Sequence, residues 1–202
     1  MAAPTPPPTV RHIVIDMQRL FAEDTPWHAP SLSTILPNVT RLGTALRSQT
    51  LFARFIVPPT RDDARGRWQT YYGRWSFLVG AFHDPALHDL VEPLRLIADE
   101  DRIFDKHGYS AFTGTGLHDR LTRDGVDTLI FSGVETDVCV YSSVLAAIDL
   151  GYHVILASDA LASGDDGAHR TVLDTLAPRL PEQITAMTTD EILATFGREV
   201  GA

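Results

Sequence analysis

The sequence predicts a single three-layer α/β domain built on a mostly parallel sheet. Short apolar runs rich in β-branched residues recur along the chain, and the stretches between them have helical spacing and enough length for crossover helices. Size agrees with this. The chain has 202 residues, 44% of them hydrophobic, which suits one globular domain with a sizeable core.

Taken in order, residues 1–9 hold Pro4, Pro6, Pro7 and Pro8, which donate no backbone hydrogen bond. This stretch is expected to be a loose, extended arm, and residues 10–202 the domain. His12 to Asp16 is an apolar run ending in a carboxylate, the pattern of a strand buried on both faces. Ile35, Leu36, Val39, Leu42 and Leu46 have helical spacing, and Leu51 to Val57 is a second strand. Pro58 to Asp84 then breaks the rhythm: Trp68, Tyr71, Tyr72, Trp75 and Phe77 alternate with arginines and with Gly66, Gly73 and Gly80. It reads as a loop with large aromatic surfaces, which either covers a pocket as a lid or packs on a neighbouring subunit. Arg102 to Lys106 is a weaker strand, followed by Thr128 to Val134, a helix marked by Val140, Val144, Ala147 and Ile148, and strands at Tyr152 to Ala157 and Gln183 to Met187.

Charge and composition exclude several classes of function. With 17 Lys and Arg against 26 Asp and Glu, the net charge of −9 repels a phosphate backbone, so nucleic acid is not an expected partner. No apolar run approaches the roughly 20 residues needed to cross a bilayer. The start has neither a basic region nor an apolar stretch, so no membrane insertion or secretion is expected and a cytoplasmic location is. The single cysteine, Cys139, allows no intrachain disulfide. Its bland role is that of a small buried apolar residue.

In parallel sheets ligands bind outside the carboxyl ends of the strands, so chemistry is sought just past each apolar run. Asp16 and Lys106 stand at such ends, where surface solvation or a structural ion pair is the ordinary alternative. Cys139 falls in the first turn of the helix after Thr128 to Val134. Unpaired amides and the positive helix end there favour a thiolate. Thr136 or Asp137 is placed to cap this helix, and the free amides of the turn can bind an anionic oxygen. Of eight histidines, none has a spacing that marks it.

Ile15-Asp16-Met17-Gln18 with Phe21, Lys106-His-Gly-Tyr109-Ser110-Ala-Phe112, and Gly133-Val134-Glu135-Thr136-Asp137-Val138-Cys139-Val140 resemble the three signature segments of the isochorismatase-like cysteine hydrolases. Gly151 to Ala160, with His169 after it, is similar to the next segment of that family. Four motifs stand in register, which sets the match apart from that of any single motif. The resemblance implies a Rossmann-like domain with a six-stranded, mostly parallel sheet and an Asp–Lys–Cys triad carried by Asp16, Lys106 and Cys139. It also implies a cis peptide between Val134 and Glu135, and an oxyanion hole made by the amides of Glu135 and Cys139.

The expected activity is hydrolysis of an amide or ureido C–N bond of a small molecule through a thioester. Three other readings stay open or fall. Isochorismatases proper cleave a vinyl ether without a cysteine nucleophile, and a noncatalytic binding or assembly module would keep the fold alone. A dinucleotide module is disfavoured, because Gly114-Thr115-Gly116 is followed by Asp119 where a third glycine would stand, and does not follow the first strand. Nicotinamidases of the superfamily carry an Asp-x-His metal motif after the second strand, whereas residues 57–64 here contain Asp62 and Asp63 but no histidine. No metal or other cofactor is expected. Phe21, Trp27, Trp68, Tyr71, Trp75, Tyr109 and Phe112 are candidates to line the pocket, and the resemblance implies a homodimer or homotetramer.

Overall fold

The structure, a computed structural model, describes residues 9–80 and 84–197. The arm predicted over residues 1–9 lies, apart from Thr9, outside the described residues, as does the chain beyond 197. The strands are β1 (Val10–Ile15), β2 (Thr50–Phe55), β3 (Ile103–Lys106), β4 (Thr128–Gly133), β5 (His153–Leu161) and β6 (Ile184–Met187). They form one six-stranded parallel sheet in the order β3-β2-β1-β4-β5-β6. This is the expected fold. β5 runs past the predicted Ala157 to Leu161, because its pairing with β4 resumes at Gly133 and Leu161 after a register shift.

The helices are α1 (Arg19–Ala22), α2 (Leu32–Ala45), α3 (Trp68–Arg74), α4 (Glu92–Arg95), α5 (Leu117–Arg123), α6 (Tyr141–Asp149), α7 (Asp166–Arg170) and α8 (Thr189–Phe196). Alternation along β1 separates the two cores. Val10 and Val14 join Leu32, Val39 and Leu42 of α2 and Ile192 of α8 on one face. Ile13 and Ile15 join Leu117 and Leu121 of α5 and Val144 and Ala147 of α6 on the other. Among the described residues no helix is long and apolar enough to cross a membrane.

One polar group interrupts the centre of the sheet. His12 is fully buried, with Nδ1 3.2 Å from Thr50 Oγ1 and Nε2 2.8 Å from Ser132 Oγ. Burial lowers its pKa to about 3, so the ring is neutral and ties β1 to both neighbouring strands.

The segment Pro58 to Asp84 is more ordered than its composition suggests. Gly66, with φ of 55°, makes the turn into α3, whose aromatic residues fold back on the domain. Residues 81–83 lie outside the described residues.

Chain order reverses between β1 and β4, where one connection leaves toward β2 and the other toward β5. The crevice at this switch point is where an α/β sheet binds ligands. Gly133 closes β4 against β1 so tightly that an added Cβ would stand 2.0 Å from the Ile15 carbonyl oxygen, at a φ of 110°. Gly133→Ala is therefore expected to lose more than about 3 kcal/mol of stability in chemical denaturation, since backbone must move as well as twist.

Candidate active site

Three strand ends converge on this crevice. Asp16 directly follows β1 in a left-handed conformation, φ 53°, a region that Asp tolerates better than most side chains. Its amide donates to Ala53 O at 3.1 Å. Lys106 ends β3 and reaches across β2 to place Nζ 2.8 Å from Asp16 Oδ2. Nζ also donates to Gly108 O at 3.1 Å and lies 4.7 Å from the centroid of the Phe55 ring. Both charged side chains are 0% exposed. Gln18 holds the frame: its Nε2 donates to Phe55 O and His88 O, and its Oε1 accepts from Phe55 N at 2.7 Å.

Cys139 arrives from the segment after β4. The Val134–Glu135 peptide is cis, and Thr136–Val140 forms one turn of π-helix that continues into α6. Neither residue expected to cap this turn does so. Thr136 Oγ1 donates to Ala162 O and contacts His169 Nδ1, while Asp137 accepts from Ser163 Oγ, so both side chains anchor the turn to the segment after β5 instead. The amides of Val138 and Val140 donate to Glu135 O, and that of Thr136 to Ala162 O.

Electrostatics also differ from the simple expectation of a helix-stabilised thiolate. Burial and the Asp16 charge push the Cys139 thiol well above its usual range, and Lys106 offsets this only in part. Burial likewise raises Asp16 against the pull of Lys106, and Lys106 stays raised because the charges around it outweigh its own desolvation. These directions favour a thiol over a thiolate at Cys139, beside the Asp16–Lys106 salt bridge. Asp16 Oδ2 faces Lys106 Nζ at 2.8 Å, and the carboxylate also interacts with the Cys139 thiol.

Cys139 opens on a pocket of about 150 Å³. Phe21, Trp27, Tyr71 and Tyr109 of the predicted set line it, and Phe55, Val138 and Glu135 complete it. Trp68 and Trp75 stand behind this wall: Trp68 packs on Tyr71 and Tyr109 at centroid distances of 5.2 and 4.9 Å, and Trp75 on Trp27 at 6.3 Å. Phe112 does not belong to the pocket. It stacks on Tyr152 at 6.1 Å, because the turn after Ser110 carries it into the core on the α5 and α6 side. Phe55 was legible in principle, as it stands at the carboxyl end of a strand like Asp16 and Lys106. A larger cleft of about 370 Å³ beside Trp68 and Tyr72, lined by Arg65 and His107, contains none of Asp16, Lys106 and Cys139.

Asp62 and Asp63 are engaged locally, Asp63 with Thr60 N and Oγ1 and Asp62 with Arg61. Among the described residues no three His, Cys, Asp or Glu side chains gather to hold a metal ion.

The family model described as the isochorismatase domain matches residues 11–191. This chain belongs to the isochorismatase family of hydrolases. Among relatives of this family member, the uncharacterized isochorismatase family protein YwoC of Bacillus subtilis is 34% identical over 170 residues, covering 79% of this chain and 82% of its own. N-carbamoylsarcosine amidase of an Arthrobacter species is 30% identical over 163 residues, covering 76% of this chain and 59% of its own. The isochorismatase-family fold seen here matches the crystal structure of a cysteine hydrolase from Pseudomonas syringae pv. phaseolicola with a TM-score of 0.77 and 28% identity, covering 92% and 91% of the two chains.

Proposed function

We propose that this isochorismatase-family protein is a cysteine hydrolase that cleaves an amide or ureido C–N bond of a small molecule through a thioester. The observation that carries the reading is the thiol of Cys139, in the wall of a small pocket, interacting with the buried Asp16–Lys106 pair. A thiol kept neutral at rest attacks only when a base takes its proton, and Asp16 is the group in contact with it. The name of the Arthrobacter relative, an amidase, points to the same class of reaction.

In this mechanism the Cys139 sulfur bonds to the substrate carbonyl carbon as its proton passes to Asp16. The carbonyl oxygen becomes an oxyanion, which the amides of Glu135 and Cys139 stabilise in the turn after β4. Collapse breaks the C–N bond, and Asp16 returns the proton to the departing nitrogen, leaving a thioester. Water then attacks the thioester, again losing its proton to Asp16. The acid departs and the thiol is restored with that proton. Lys106 keeps the net charge of the site balanced while the negative charge moves between carboxylate and sulfur.

The pocket limits what can be cleaved. A volume of about 150 Å³ matches a cavity that takes a benzene-sized body. The test is ammonia release from primary amides and ureas of that size, with hydroxylamine present to capture an acyl-enzyme. Ammonia together with the hydroxamate of the acyl group is the expected result. Turnover that never partitions to hydroxamate would exclude the thioester.

A further inference from the structure

The mechanism accounts for the charges of Asp16 and Lys106, and it leaves one charge in the pocket unused. Glu135 contributes its backbone to the turn and is a lining residue of the cavity beside Cys139, and its carboxylate acts electrostatically on Tyr109 of the same wall. The carboxylate is half-buried and accepts a hydrogen bond from Gly164 N at 3.2 Å. Among the described residues no Lys, Arg or His forms a salt bridge with it. Asp137 and Asp16 add like charge nearby, and burial raises its pKa.

The rest of the lining is apolar or aromatic: Phe21, Trp27, Phe55, Val138 and two tyrosines. Among the described residues no Lys or Arg lines the pocket, and Lys106 beside it is buried against Asp16 and so balances a charge of its own. The pocket with its triad therefore carries one uncompensated negative charge in a poorly solvated place. A partly buried carboxylate without a counter-ion is unfavourable by itself and favours any ligand that supplies a positive group or an N–H donor. The aromatic walls act in the same direction, since their faces attract cations. A substrate carboxylate would meet Glu135 with no arginine or lysine to receive it, on a chain whose net charge is already −9.

We infer that Glu135 is a specificity-determining residue that selects small amides bearing a positive or N–H-rich group and rejects amides or ureides bearing a carboxylate. The inference rests on the proposed amide hydrolysis for its reaction, but not for its binding preference. Like-charge rejection and ion pairing act on the same carboxylate, so the preference is the product of two effects and is expected to reach about a hundredfold at low ionic strength.

The experiment compares two small amides of similar size, β-alaninamide and malonamate, by kcat/KM for ammonia release from the full chain and from Glu135→Gln. Glutamine keeps an acceptor for Gly164 N and removes the charge. The ratio of cationic to anionic amide is expected to fall about tenfold or more in the variant, chiefly through KM, with recovery in Glu135→Asp. An unchanged ratio overturns the inference. Binding of benzylamine and of benzoate to the same proteins, measured by calorimetry, separates the two claims. Benzylamine binding with benzoate excluded, in a protein that releases no ammonia from any amide, keeps the selectivity and removes the proposed reaction. Benzoate binding as tightly as benzylamine, or neither binding, removes the selectivity whatever the activity.

Discussion

Replacing Cys139 with alanine is expected to lower kcat/KM for amide hydrolysis about ten-thousandfold or more while leaving the protein folded. The sulfur is the only thiol in the chain and lies in the pocket wall, so no neighbouring group can take over its attack. Removing one buried sulfur costs about 1 kcal/mol of packing, which a denaturation curve would separate from loss of fold. Ammonia release measured beside that curve decides the matter. The same variant separates acyl transfer from vinyl-ether cleavage: acid-catalysed ether hydrolysis needs a proton from Asp16 but no sulfur, so a Cys139→Ala protein that keeps full activity on a vinyl ether would move the reaction class. A wild-type protein inactive on both substrate types would support the noncatalytic module.

The second large effect is expected from Lys106→Met, which keeps an unbranched stem and removes the terminal ammonium with its charge. Asp16 would then be a buried carboxylate with no counter-ion, and breaking such a pair from one side costs about 3–5 kcal/mol. Lys106 lowers the Asp16 pKa in the intact protein, so its removal pushes a carboxyl already raised by burial still higher. A carboxyl raised in the folded state binds its proton more tightly there than in the unfolded chain. Its contribution to stability is thus fully present at acid pH and is lost as pH rises through the folded value. The variant should consequently be less destabilised at pH 5 than at pH 8, as read from urea midpoints. Activity should fall by about a hundredfold or more, because a protonated Asp16 cannot accept the thiol proton and the thiolate loses its cation. Adding Asp16→Asn should restore much of the stability and none of the activity. Full additivity of the two changes would show that the pair does not act as a unit.

The alternation of apolar runs with helical spacing made the sheet legible, because side-chain period is a local property that each run of five or six residues carries by itself. The same locality explains the misplacements. Phe112 and Tyr109 stand three residues apart and look equivalent in sequence, yet one lines the pocket and the other stacks on Tyr152 in the opposite core. Their directions depend on the turn between them and on what waits on each side. Pro58 to Asp84 has the composition of a loop, yet Trp68–Arg74 is helical because Tyr72, 2% exposed, and its aromatic neighbours find a core to enter.

Position in the order of strand ends also singled out Asp16, Lys106 and Cys139, since a charged or nucleophilic residue just past an apolar run is readable from the chain alone. The sequence by itself thus determined the parallel α/β sheet, the family, and the three residues whose chemistry is in question. Only the tertiary structure decided that Lys106 crosses β2 to meet Asp16, that burial and Asp16 push the Cys139 thiol up, and that Glu135 has no salt-bridge partner among the described residues. The physical reason is that desolvation and charge interaction are sums over neighbours from β1, β3 and the turn after β4, and no local stretch of sequence contains that sum.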